Sequence, residues 1–178
     1  MNLDALYPNL VRGETNAACV AVGHGIWAEL IADGEDAPVT PDRLRAAGLS
    51  VAEAHARALD NLARFADESP DLSVDVLGGV DEAVHLLVYC DHPRAAACLL
   101  LPDLYEQACE LLHTTEVCAV VPQRESLVVL PRRARAYRER VVGMLREQEA
   151  DATHPLSFAV FELTADGVRE FTEANGAT

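Results

Sequence analysis

Two apolar runs, "VCAVV" and "LVVL", flank the short connection "PQRES" and constrain the fold more than any other stretch. A strand with one wet face alternates apolar and polar residues, but these runs leave neither face polar. They therefore belong inside a covered sheet, as an antiparallel hairpin over 117–121 and 127–130. "AVHLLVYC" has the same character and adds an interior strand over 84–90, preceded by "LSVDVL" and joined to it around Gly78 and Gly79. Near the C-terminus, "LSFAVFELTADGVREF" predicts a strand over 157–163, a turn at Asp166 and Gly167, and a shorter strand.

Helices fill the intervals. Thr40 before Pro41 marks a helix start and Gly48 a stop. Ser50 and Glu53 then form a capping box, and Ala54, Ala58, Leu62, Phe65 and Ala66 recur at helical spacing, so a longer helix over 51–67 packs one face on a sheet. Leu104, Ala108, Leu111 and Leu112 give a helix over 103–113 with acids in its first turn, as the helix dipole favours. A last helix over 132–149 carries an apolar arc of Ala134, Tyr137, Val141, Met144, Leu145 and Gln148, with every arginine outside it.

A chain of 178 residues fits one domain, and 50% hydrophobic residues with 24% charged ones describe a globular chain. The net charge of −15 repels phosphate backbones and anionic lipid surfaces, which weighs against nucleic-acid and membrane partners. No apolar run reaches the roughly 18 residues of a membrane span. The opening "MNLDALYPNLVRGETN" lacks a basic segment followed by an apolar one, so a cytoplasmic location is expected. Cys19, Cys90, Cys98, Cys109 and Cys118 are odd in number, lack a CxxC pair and sit among apolar neighbours, as reduced core residues do.

One local feature departs from these rules. Arg132, Arg133, Arg135, Arg138 and Arg140 gather at the start of the last helix, where the partial positive charge of the helix terminus disfavours cations by about 0.3–1 kcal/mol each. Compensation has two sources: carboxylates of the same chain, beginning with Glu139 four residues after Arg135, or an acidic partner or small anion docked on the patch. Arg124, at the tip of the 117–130 hairpin, is a candidate member of the same surface.

Other motifs are weaker. Cys109 and His113 are four apart on one helix, and Asp91 and His92 follow an apolar strand, but a zinc site needs three or four converging ligands. "VGHGIW" sets His24 between glycines, the pattern of a tight turn. No dinucleotide fingerprint, phosphate loop, GxSxG or HExxH is present, and the sequence assigns no cofactor, metal or catalytic residue.

The order of these pieces resembles the YtpQ-like family of bacterial proteins, a domain family of unknown function. The resemblance rests on "VTPDRLRAAGLSVAEAHARALDNL", "AAACLLLPDLYEQACELL", "VCAVVPQRESLVVL" and "PLSFAVFELTADG". It implies an α+β domain and singles out Pro122 and Arg124, but it supplies no substrate or cofactor; the stretch containing "GHGIWAEL" fits it poorly.

The expected architecture is a single α+β domain, a mainly antiparallel sheet packed with three or four helices. The expected function is a noncatalytic interaction or regulatory module that binds through Arg124, Arg132, Arg133, Arg135 and Arg138. The alternative is a small enzyme or anion-binding protein that grips a carboxylate or phosphate between Arg124 and a helix arginine, with His24 or His92 as acid or base.

Overall fold

A computed structural model of the chain describes residues 5–35, 37–78, 85–133 and 135–172. Among them the chain runs β1 (Leu6–Arg12), β2 (Cys19–Gly23), β3 (Ile26–Ala32), α1 (Pro41–Ala46), α2 (Val51–Glu68), β4 (Ser73–Leu77), β5 (Leu86–Cys90), a 3-10 helix (Ala96–Leu100) and α3 (Leu104–Leu111). It continues through β6 (Val117–Gln123), β7 (Ser126–Pro131), α4 (Arg135–Gln148), β8 (Pro155–Thr164) and β9 (Gly167–Glu170). The strands form two antiparallel sheets, of order β1-β3-β2 and β4-β5-β7-β6-β8-β9, so the fold is α+β.

The covered hairpin is present as β6 and β7 at the middle of the larger sheet. Its alternation explains the unbroken apolar runs. Cys118, Val120, Val128 and Leu130 face α4, where Val141, Val142 and Leu145 meet them. Val117, Ala119, Val121, Leu127 and Val129 point the other way, into a core shared with the 3-10 helix, α3, Leu62 of α2 and Leu10, Ile26 and Ala28 of the smaller sheet. A third cluster joins Leu6, Leu30 and Ala32 to Leu44, Ala54 and Ala58, so the predicted apolar face of α2 packs on the smaller sheet.

Local signals formed as read. The Thr40 side chain accepts from the Arg43 N–H, Ser50 and Glu53 close the capping box, and Gly48 ends the turn after α1 at φ +74. The smaller sheet is an addition to the expected architecture. Its outer strand, β1, contains Pro8, which an outer strand tolerates and which hides the strand in the sequence. Gly79 and Ala134 lie outside the described residues.

The last helix needs two corrections. It begins at Arg135 rather than 132, because β7 runs through Pro131, paired with Val117, and the Arg132 N–H still bonds the Glu116 carbonyl at 2.8 Å. Arg132 and Arg133 therefore precede α4. Its buried stripe is Val141, Val142 and Leu145, with Met144 38% exposed, because α4 also leans on Phe158 and Val160 of β8. That rotation brings Arg138, one turn before Val142, to a half-buried position instead of leaving it outside.

All five cysteines are free thiols, and burial pushes the Cys98 and Cys118 thiols up to about 12. Cys98 and Cys118 should resist a thiol reagent added to the native chain, while the half-buried Cys19 and Cys109 react. Mass spectrometry of the labelled chain checks this, and equal labelling of all five would contradict the packing.

Candidate functional site

The arginines divide among four surroundings. Arg132, at the end of β7, pairs with both Glu116 and Glu162, and Arg169 holds the second Glu162 oxygen at 2.9 Å. It is thus part of an internal ion network tying β7 to β8. Arg133 and Arg140 bracket Tyr137, their guanidinium carbons 5.1 and 5.6 Å from its ring centre. Tyr137 in turn bonds the backbone of His85, its hydroxyl donating to the carbonyl at 3.0 Å.

Arg124 occupies the turn between β6 and β7, with its Nε 3.3 Å from Glu125 Oε1 and an Nη 3.3 Å from the His154 ring. Its backbone is also held, since its N–H bonds the His154 carbonyl and its carbonyl accepts from Ala96. Arg124 and Arg132 thus stand at opposite ends of β7, about 20 Å apart at ~3.4 Å per residue. A clamp made of these two is not assembled.

Arg135 and Arg138 line a groove of about 580 Å³ between α4 and β8, and Arg146 joins them from the last turn of the helix. The positions 135, 138, 142 and 146 fall on one helical stripe, so Val142 supplies an apolar step between the charges. Arg135 Nε meets Glu139 at 2.7 Å in an exposed pair, which contributes only a few tenths of a kcal/mol to the helix. Arg138 donates to the Arg133 carbonyl and lies 4.8 Å over the Phe171 ring. Arg146 lies 5.5 Å over Phe158. Charge and aromatic surface therefore alternate along the groove.

His24 closes one end. It turns β2 into β3 together with Gly25, and φ of +51 and +74 at the two residues is the pattern of a type I′ hairpin turn. Its N–H donates to Glu170 Oε1 at 2.5 Å, and its Nε2 lies 2.9 Å from the Val160 carbonyl. A carbonyl only accepts, so Nε2 carries the proton. The ring packs edge-on against Phe161 at 5.0 Å. Thus His24 pins the smaller sheet to β8 and β9 and joins the groove that Arg135 and Arg138 line.

His92 lies elsewhere. Its Nδ1 accepts from the Arg94 N–H at 3.0 Å, its ring rests on Phe65 at 4.5 Å, and burial, then the Arg94 charge, holds its pKa below the ordinary histidine value. Arg94 is sandwiched there between Tyr7 and Phe65 and paired with Asp33 at 2.5 Å. His113 is exposed at the end of α3 with φ +51. Among the described residues, no group of three or more His, Cys, Asp or Glu is placed to hold a metal ion.

The sequence reading missed Arg146, Phe158 and Phe171. Arg146 was findable by carrying the arginine stripe from Arg138 two further turns; Phe158 reaches the groove through the packing of β8 on α4, and Phe171 through its N–H bond to the Val160 carbonyl beyond β9. Among the described residues no helix is long and apolar enough to cross a membrane. Comparison with family models, with curated proteins and with solved structures finds no match.

Proposed function

We propose that the chain is a noncatalytic interaction module whose groove between α4 and β8 docks an acidic, partly apolar segment of a partner protein. The observation that carries this reading is the alternation of Arg135, Arg138 and Arg146 with Val142, Phe158 and Phe171 around one concave surface, where three arginines outnumber the one lining carboxylate, Glu139, which is paired with Arg135. Guanidinium groups meet carboxylates in bidentate pairs, and the apolar steps between them match side chains interleaved with the acids. With a net charge of −15 the chain repels acidic segments at a distance, so recognition depends on contact within a Debye length of about 8 Å, not on long-range steering.

The small-anion reading drew on Arg124 acting with a helix arginine; Arg124 is engaged with Glu125 and His154 at the β6–β7 turn, while Arg135 and Arg138 line the groove, and the two do not share its lining. His24 beside Arg135 and Arg138 leaves a smaller carboxylate ligand as an occupant of the same groove, which competition separates from a peptide.

A short labelled peptide alternating glutamate with phenylalanine should bind, and its glutamine counterpart should bind at least ten-fold more weakly, as the loss of about 1.4 kcal/mol per charged contact requires. Arg135→Glu and Arg146→Glu should each lower affinity about ten-fold, while Arg133→Glu, outside the groove beside Tyr137, leaves it unchanged. Fluorescence anisotropy reads these affinities. An equal loss from Arg133→Glu, or full displacement by inorganic phosphate or acetate at low concentration, would count against a peptide groove.

A further inference from the structure

A second cavity, of about 290 Å³, opens between the outer strands β2 and β9, with α2 on one side and the segment from the 3-10 helix into α3 on the other. It sits at the small end of the roughly 300–1,000 Å³ range of small-molecule sites. Its wall is aliphatic, including Val22, Leu59, Leu99, Leu101, Leu163 and Val168. Three polar side chains interrupt it: His55, Tyr105 and Thr164.

Each of these three has committed a hydrogen to a carbonyl of the chain. His55 Nε2 faces the Ala18 carbonyl at 3.2 Å and must donate to it. The Tyr105 hydroxyl donates to Thr115 at 3.1 Å, and the Thr164 hydroxyl donates to Gly167 at 3.0 Å. What remains on all three is lone pairs. The most basic of these is His55 Nδ1, which makes no hydrogen bond with the described residues and is the ring nitrogen left for a ligand. Burial also holds the His55 pKa below the ordinary histidine value, so the ring stays neutral at physiological pH and keeps that lone pair.

An apolar cavity whose polar side chains can only accept selects for a donor and against anions. We propose that this cavity binds a small apolar molecule carrying one uncharged hydroxyl, a medium-chain alcohol or a phenol, with the hydroxyl donating to His55 Nδ1. A carboxylate of the same length would set acceptor against acceptor and bury an unpaired charge, which costs far more than a neutral hydrogen bond returns. The site is separate from the arginine groove in both residues and chemistry.

Displacement of the neutral fluorescent probe N-phenyl-1-naphthylamine tests it. The wild-type chain should bind the probe, 1-octanol should displace it, and octanoate should need at least a ten-fold higher concentration. Leu59→Trp, which places an indole in the cavity, should abolish probe binding with the thermal transition retained. His55→Phe keeps the cavity apolar and should bind the probe while binding 1-octanol about five-fold more weakly, the worth of one neutral hydrogen bond. The proposal is overturned if the wild-type chain does not bind the probe, if octanoate competes as well as 1-octanol, or if octanol affinity is unchanged in His55→Phe. Should Leu59→Trp fail to fold, the octanol-to-octanoate ratio and the His55→Phe result decide alone.

Discussion

Phe161→Ala should lower the stability of the chain by about 3–5 kcal/mol, as truncation of a fully buried phenylalanine does. Phe161 is 0% exposed on β8, in register with Ala119 of β6 on one side and Glu170 of β9 on the other. The ring belongs to the core shared by both sheets and supports His24 edge-on. Its removal leaves a cavity at the junction of the two sheets, where β6, β8 and the His24 turn cannot all collapse inward at once. Against a total of about 5–15 kcal/mol for a typical domain, the loss should show as a large fall in the urea midpoint. A loss below about 1 kcal/mol would place Phe161 outside the core that this fold requires.

Gly23→Val should lower stability by about 2 kcal/mol or more. Gly23 has φ +131, a conformation L side chains rarely adopt, and a Cβ there would stand 2.7 Å from Glu170 Cγ. Backbone and contact therefore object together. The same displacement would withdraw the His24 N–H from Glu170 and pull His24 from the end of the groove, so peptide affinity should fall with stability. Gly25→Ala in the same turn is the control: its φ of +74 carries strain, but nothing lies within 4 Å of the added Cβ, so the cost should be about 1 kcal/mol. Glu170→Ala in the Gly23→Val background should recover part of the loss. Equal costs at Gly23 and Gly25, with no recovery, would show that the close approach of β9 to the turn is absent.

What the sequence disclosed and what it withheld divide by the range of the interaction. The β6 and β7 runs were legible because both faces of each strand are covered, which leaves a one-dimensional trace. The Ser50 and Glu53 capping box was legible because its partners are three residues apart. The start of α4 was misplaced because Pro131, a residue that commonly opens a helix, instead ends a strand whose partner, Val117, lies on another strand. The smaller sheet escaped because Pro8 breaks the strand signal and only pairing with β3 restores it.

The site was half legible for the same reason. The arginine excess at the start of α4 drew attention to that helix, and Arg135 and Arg138 line a groove beside it. Which arginines line the groove and which are held elsewhere depends on contacts far apart in sequence: Phe171 beside Arg138 in the groove, Glu162 for Arg132 and His154 for Arg124 outside it. No spacing rule encodes those.

Backbone amide shifts of the isotope-labelled chain, followed as the glutamate–phenylalanine peptide is titrated in, test the groove most directly. The expected result is saturable movement concentrated at His24, Arg135, Arg138, Arg146, Phe158 and Phe171, with the Arg124 turn and the Arg132 network unmoved. Movement centred on Arg124 and Glu125, or none at millimolar peptide, would contradict the docking role assigned to α4 and β8.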